Sequence, residues 1–137
     1  MPHRATGTFE VKLTLRPLHD NTGTENLGRM SIDKQFHGDL ETMGEGEMLS
    51  AGTSVKCSAG YVAIERVSGT LHGHSSTFVL QHSGTMNRGV PHLSVSVVPD
   101  PGTDQLDGLT GTLAINIVDK NHFYEFKYTL TAGERQK

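Results

Sequence analysis

From Phe9 to Leu130 the chain alternates apolar and polar residues at a period of two, and this pattern decides what it can fold into. In the first run Phe9, Val11, Leu13 and Leu15 oppose Thr8, Glu10, Lys12 and Thr14. Successive side chains of a strand point to opposite faces, so such a run makes a strand with one apolar face. Met30, Ile32, Phe36 and Leu40 form the next stripe, with Lys34 and Gly38 between them. Tyr61, Ala63, Glu65, Val67, Gly69 and Leu71 form another, and Phe78, Leu80, His82, Gly84 and Met86 another. Stripes from Leu93, from Leu109 and from Tyr124 complete the series. An amphipathic helix needs apolar residues at i, i+3, i+4 and i+7 over roughly ten residues, and no window offers that against the stronger alternation. The pattern predicts about eight strands and no helix.

The breaks between runs set the topology. Pro17 ends the first strand, and the polar stretches Leu18 to Gly28 and Pro99 to Asp107 read as long loops. Turns are expected around Glu41 to Gly44, His72 to Ser75, Asn87 to Pro91 and Asp119 to His122. Such short connections join antiparallel neighbours. Each strand has one apolar face to cover; two packed sheets would do so, and closing one sheet on itself does so while also removing unpaired edges. The expected fold is therefore all-β: a single eight-stranded antiparallel closed β-barrel. The 137 residues make one ordinary domain, 1–137, with a core at about 5–131 and a polar tail at 132–137. A barrel of about eight strands holds either packed side chains or one small ligand.

Charge and composition exclude several partners. The net charge is -3 and no Lys/Arg cluster breaks it locally, so a nucleic-acid partner is not expected. No run approaches roughly 18 apolar residues, so no membrane span is expected. The start MPHRATGTFEVKL lacks the apolar core of a signal peptide, and Cys57 is the single cysteine, which makes the cytoplasm the default compartment. No cofactor and no metal are expected. His72 and His74 flank a glycine in a turn without a third ligand at a telling spacing, and the Gly-Glu-Gly at 44–46 is not followed by the Gly-Lys-Ser/Thr of a phosphate loop. Symmetric association makes a homodimer the default assembly.

Two ionisable residues interrupt adjacent apolar stripes. With Gly73 and His74 as the central residues of their turn, opposed residues sum to 147. Leu80 then faces Val67, Phe78 faces Gly69, and His82 faces Glu65. A one-residue slip would send every side chain to the wrong face, whereas a two-residue slip keeps the face and leaves Glu65 and His82 diagonal neighbours. A buried carboxylate beside an imidazole can act as a coupled acid and base near neutral pH, so Glu65 and His82 are the candidate catalytic pair. Tyr61, Tyr124 and Tyr128, with Phe78 and Leu80, are the expected substrate-binding residues on the same inner face. Lys34 also falls on an apolar stripe, and its long side chain is expected to snorkel to the rim.

Several segments together carry a resemblance: GRMSIDKQFHGDLE from Gly28, GEGEMLSA from Gly44, GYVAIERVSGTLHG from Gly60, FVLQHSGTM from Phe78, LSVSVVPDPGTDQLDGLTG from Leu93, and the final YEFKYTL. From Gly7 to Leu130 the chain resembles the bacterial family called domain of unknown function 3224. That resemblance implies an eight-stranded antiparallel barrel of the allene oxide cyclase-like group. Barrels of that group include allene oxide and spirotetronate cyclases, which fold an apolar substrate without a cofactor. No motif of theirs is matched residue by residue, so no catalytic residue is carried over, and fold does not imply function. The leading expectation is a small-molecule-binding barrel acting as a cofactor-independent isomerase, cyclase or lyase on a small, largely apolar substrate. The alternatives are a non-catalytic small-molecule carrier and a solidly packed structural or assembly barrel. The inward Glu65 and His82 favour a ligand, since a fully packed barrel has little reason to bury them.

Overall fold

The computed structural model describes residues 3–17, 27–98 and 109–130. Within them eight antiparallel strands follow chain order: β1 (His3–Arg16), β2 (Leu27–Gly38), β3 (Leu40–Gly52), β4 (Ala59–Leu71), β5 (His74–Asn87), β6 (Val90–Val97), β7 (Leu109–Val118) and β8 (Asn121–Leu130). Each pairs with the next, and β8 pairs with β1 to close the barrel. The thinnest seam is β6–β7, where Ser96 and Thr112 are the one registered pair among the described residues. None of the described residues forms a helix long and apolar enough to cross a membrane. The expected loops at 18–28 and 99–107 and the tail at 132–137 lie outside the described residues, except that Leu27 and Gly28 already belong to β2.

Two turns differ from expectation. The β4–β5 hairpin turns on His72 and Gly73, not on Gly73 and His74, so opposed residues sum to 145: Ala63 faces His82 and Glu65 faces Leu80. The observed turn is of the type I′ kind, which has positive φ at both central positions and matches the twist of the strands. His72 and Gly73 supply it at 49° and 81°. The turn expected at Glu41 to Gly44 is instead centred on Asp39, and Glu41 to Gly44 are paired strand residues of β3. Local bonds hold that corner: the Gly38 N–H donates to Glu41 Oε1 at 2.7 Å, and the Thr6 N–H donates to Asp39 Oδ2 at 3.0 Å.

The inner face grades from packed to open. At the end carrying the β2–β3 and β4–β5 turns, Phe36, Leu40, Val67, Leu71, Phe78, Leu80, Leu109 and Phe126 are fully buried. The Phe78 and Phe126 rings stack at 5.8 Å. Burying each such side chain contributes about 1.5–3 kcal/mol before chain entropy is counted. Toward the other end β3 to β5 present small inner residues, Gly44, Gly46, Ala63 and Gly84. Large apolar residues of the same inner stripes are left exposed there, among them Leu13, Leu15 (75% exposed), Met86, Leu93 and Ile117. The barrel is therefore closed by its core at one end and lined by uncovered apolar side chains at the other.

Candidate functional site

Between these two ends, three ionisable side chains meet on the inner face. Glu65 is fully buried, His82 is 4% exposed and Lys34 is 8% exposed. Glu65 Oε1 lies 2.9 Å from His82 Nε2 and accepts a hydrogen bond from Lys34 Nζ at 3.0 Å. The two-residue slip thus makes Glu65 and His82 diagonal rather than opposed, and the contact survives because the face is unchanged. Lys34 does not snorkel to the rim as expected. Its ammonium sits 4.9 Å and 5.4 Å from the ring centres of Phe9 and Phe36, an aromatic floor that favours a cation. The signal for Lys34 was present in its parity with Ile32 and Phe36.

The site exists because β3 is bare where the carboxylate lies. The Glu65 side chain crosses Gly44, and a Cβ there would collide with its Oε2. Two buried oxygens on this wall, Glu65 Oε2 and Thr42 Oγ1, have no hydrogen-bond partner among the described residues. Burial pushes the Glu65 carboxyl up, but the hydrogen bond from His82, the charge and hydrogen bond of Lys34 and the charge of a protonated His82 together outweigh it. Glu65 therefore titrates below the usual carboxylate range. Against an ionised Glu65, a neutral His82 must carry its proton on Nε2, which leaves Nδ1 with a lone pair. Nδ1 makes no hydrogen bond among the described residues.

Of the five expected binding residues, Leu80 and Tyr61 adjoin this cluster, and of the two Tyr61 faces the open end. The Tyr61 ring lies across Gly84, where a Cβ would strike it, and Gly84 neighbours His82 on the inner face of β5. Burial first, and then the Glu65 charge, raise the Tyr61 pKa, so its hydroxyl stays protonated and able to donate. Phe78 and Leu80 belong to the packed core, with Leu80 directly opposite Glu65. Tyr124 and Tyr128 are at the closed end. The Tyr124 hydroxyl accepts the Leu40 N–H at 2.9 Å and donates to the His37 carbonyl at 2.9 Å. Leu40 is about 13 Å along β3 from Gly44, over which the carboxylate lies. Burial pushes the Tyr124 pKa up to about 12. The Tyr128 hydroxyl bonds His72 Nδ1, which keeps that histidine in a structural contact. Tyr124→Phe is accordingly expected to cost about 1–3 kcal/mol by stranding the buried Leu40 N–H, readable in denaturant melts.

A cavity of about 360 Å³ opens against the inner wall of β3–β6, on the mouth side of Tyr61. Met48, Met86, Pro91 and Leu93 line it together with Tyr61 and Gly84. Sequence alternation placed Tyr61, Gly84, Met86 and Leu93 on stripes of this face, but it did not place Met48, because Gly44 and Gly46 leave the inner face of β3 without an apolar signal, and it said nothing of the cavity. No group of three or more His, Cys, Asp or Glu side chains among the described residues is arranged to hold a metal ion.

A family model described as "Protein of unknown function (DUF3224)" matches residues 5–128. Among solved structures, the chain is similar to the crystal structure of a protein with unknown function from the DUF3224 family of Shewanella oneidensis MR-1. The two share 50% sequence identity at a TM-score of 0.89, over 95% of this chain and 98% of that chain. No curated protein matches.

Proposed function

Since the chain belongs to the DUF3224 family of proteins of unknown function, its activity must be read from its own side chains, and we propose that it is a small-molecule-binding barrel that moves a proton on a largely apolar ligand. The observation that carries this reading is a buried Lys34–Glu65–His82 cluster lying behind an apolar-walled opening. Leaving charges in a core costs stability, since an apolar replacement of the same shape is commonly neutral or better. A ligand-directed role gives that cost a purpose.

In this reading His82 Nδ1 is the group that takes or returns the proton. Glu65 fixes the tautomer and stabilises the imidazolium as it forms, and Lys34 keeps Glu65 ionised. Tyr61 donates to an acceptor atom of the ligand beside it. His82 lies about 7 Å along β5 from Gly84, so a ligand seated over Tyr61 is within one side-chain length of it. Abstraction of a proton at one carbon and its return at another is an isomerisation, and loss of a neighbouring group after abstraction is a lyase reaction. Both proceed with side-chain acids and bases alone.

The experiment is recovery of the protein from cells that make it naturally, followed by native mass spectrometry and incubation in D2O. The expected result is a retained small molecule that gains deuterium at carbon in the presence of the protein. A retained molecule that never exchanges would make the barrel a carrier. Protein that retains nothing and accelerates no exchange would end the reading.

A further inference from the structure

The wall of the open cavity is almost wholly apolar. Met48 comes from β3, Tyr61 from β4, Gly84 and Met86 from β5, and Pro91 and Leu93 from β6. A volume of about 360 Å³ lies within the range of small-ligand sites. Two methionines in one wall adapt to a flat or branched guest, since the thioether is polarisable and unbranched. Leu93 and Met86 are exposed although they lie on the inner face. A guest there removes apolar surface from water at about 25 cal/mol per Å².

The charges around the cavity specify what kind of guest. No Lys or Arg lines it; the exposed His92 borders it from the opposite parity of β6, and the inner-face cation Lys34 is bound to Glu65. Glu65 is paired with Lys34 and His82, so the cluster offers an anionic guest no free positive charge. The Tyr61 hydroxyl itself makes no hydrogen bond among the described residues and is half-buried at the cavity floor.

We propose that the inner wall of β3–β6 at the open end is a binding site for an uncharged, mainly apolar molecule whose hydrogen-bond acceptor takes the Tyr61 hydroxyl. Ketones, esters and ethers with an aromatic or isoprenoid body fit this description, and carboxylates and phosphates do not. The inference rests on the acid–base reading only for the end of the guest that faces Tyr61; the site and its neutrality stand on the wall itself.

The test uses the whole protein and two naphthalene dyes of similar size, the uncharged ketone prodan and the anionic anilinonaphthalene sulfonate. Prodan is expected to bind saturably at one per chain with a blue-shifted emission, at least roughly tenfold more tightly than the anionic dye. Leu93→Glu places a charge in an already exposed position of the wall, so the variant folds, and it should weaken prodan at least roughly tenfold. Tyr61→Phe should weaken it by about three- to tenfold, the worth of one hydrogen bond, and shift its emission further to the blue. Unsaturable prodan binding, equal or tighter binding of the anionic dye, or a Leu93→Glu variant that binds like the parent would each overturn the site. A Tyr61→Phe variant indistinguishable in affinity and emission would overturn its polar end. The acid–base reading fails separately: prodan would then bind as described while no ligand exchanges deuterium.

Discussion

Glu65→Leu is expected to destabilise the barrel by about 3–5 kcal/mol, the cost of leaving a buried charge without its partner. For a domain of this length that lowers the melting temperature by roughly 10–20 °C. The substitution removes the acceptor of both Lys34 and His82, and leaves the Lys34 ammonium against the Phe9 and Phe36 rings with no carboxylate. Adding Lys34→Met should restore part of the loss, because the buried ammonium is then replaced by an apolar group of similar size while His82 Nε2 still lacks its acceptor. The double variant should also differ from the parent in acid. The folded pKa of Glu65 lies below its unfolded value, so its contribution is complete above about pH 4.3 and is lost as pH falls through the depressed folded value. The parent should therefore lose stability more steeply below about pH 4.3 than Glu65→Leu/Lys34→Met does. Chemical denaturation of the three proteins at neutral and acid pH reads both effects. A Glu65→Leu cost under about 1 kcal/mol would show that the cluster is not held as described.

His82→Gln is expected to lower deuterium exchange on the retained ligand by about 10²–10⁴-fold while leaving stability within about 1 kcal/mol of the parent. The Gln side-chain amide can still donate to Glu65 Oε1 as His82 Nε2 does at 2.9 Å, so the buried carboxylate keeps a partner. What it removes is the basic Nδ1. Glu65→Gln should reduce exchange over a similar range by a different route, since a neutral partner no longer stabilises the imidazolium. The comparison separates chemistry from architecture. If exchange persists in His82→Gln, His82 does not carry the proton. If His82→Gln instead unfolds the barrel and Lys34→Met does so equally, the cluster serves the fold alone.

Alternation by itself indicated the all-β architecture and the inner face of most strands, β3 excepted, where Gly44 and Gly46 leave that face without an apolar signal. Its period of two put Phe36, Leu80 and Phe126 inside together with Glu65 and His82, and gave Lys34 the same parity although its ammonium was expected at the rim. The one-face-per-strand pattern, with short turns between strands, required antiparallel pairing and favoured one closed sheet over two packed ones, and the strands close in chain order. Alternation encodes the direction of a side chain but not its height along the barrel axis, and each quantity left to the tertiary structure is a height. A two-residue slip preserves parity, so only the backbone at His72 and Gly73 chose between the two registers of β4 and β5. Tyr61, Tyr124 and Tyr128 all share the inner face, yet closure puts Tyr61 at the open end and the other two among the closed-end turns. Lys34 pairs with Glu65 because two strands away along the wall its stem points across the floor at Gly44 rather than at the rim. Strand stagger around a closed sheet sets these heights, and stagger is a property of all the pairings together that no single run of residues contains.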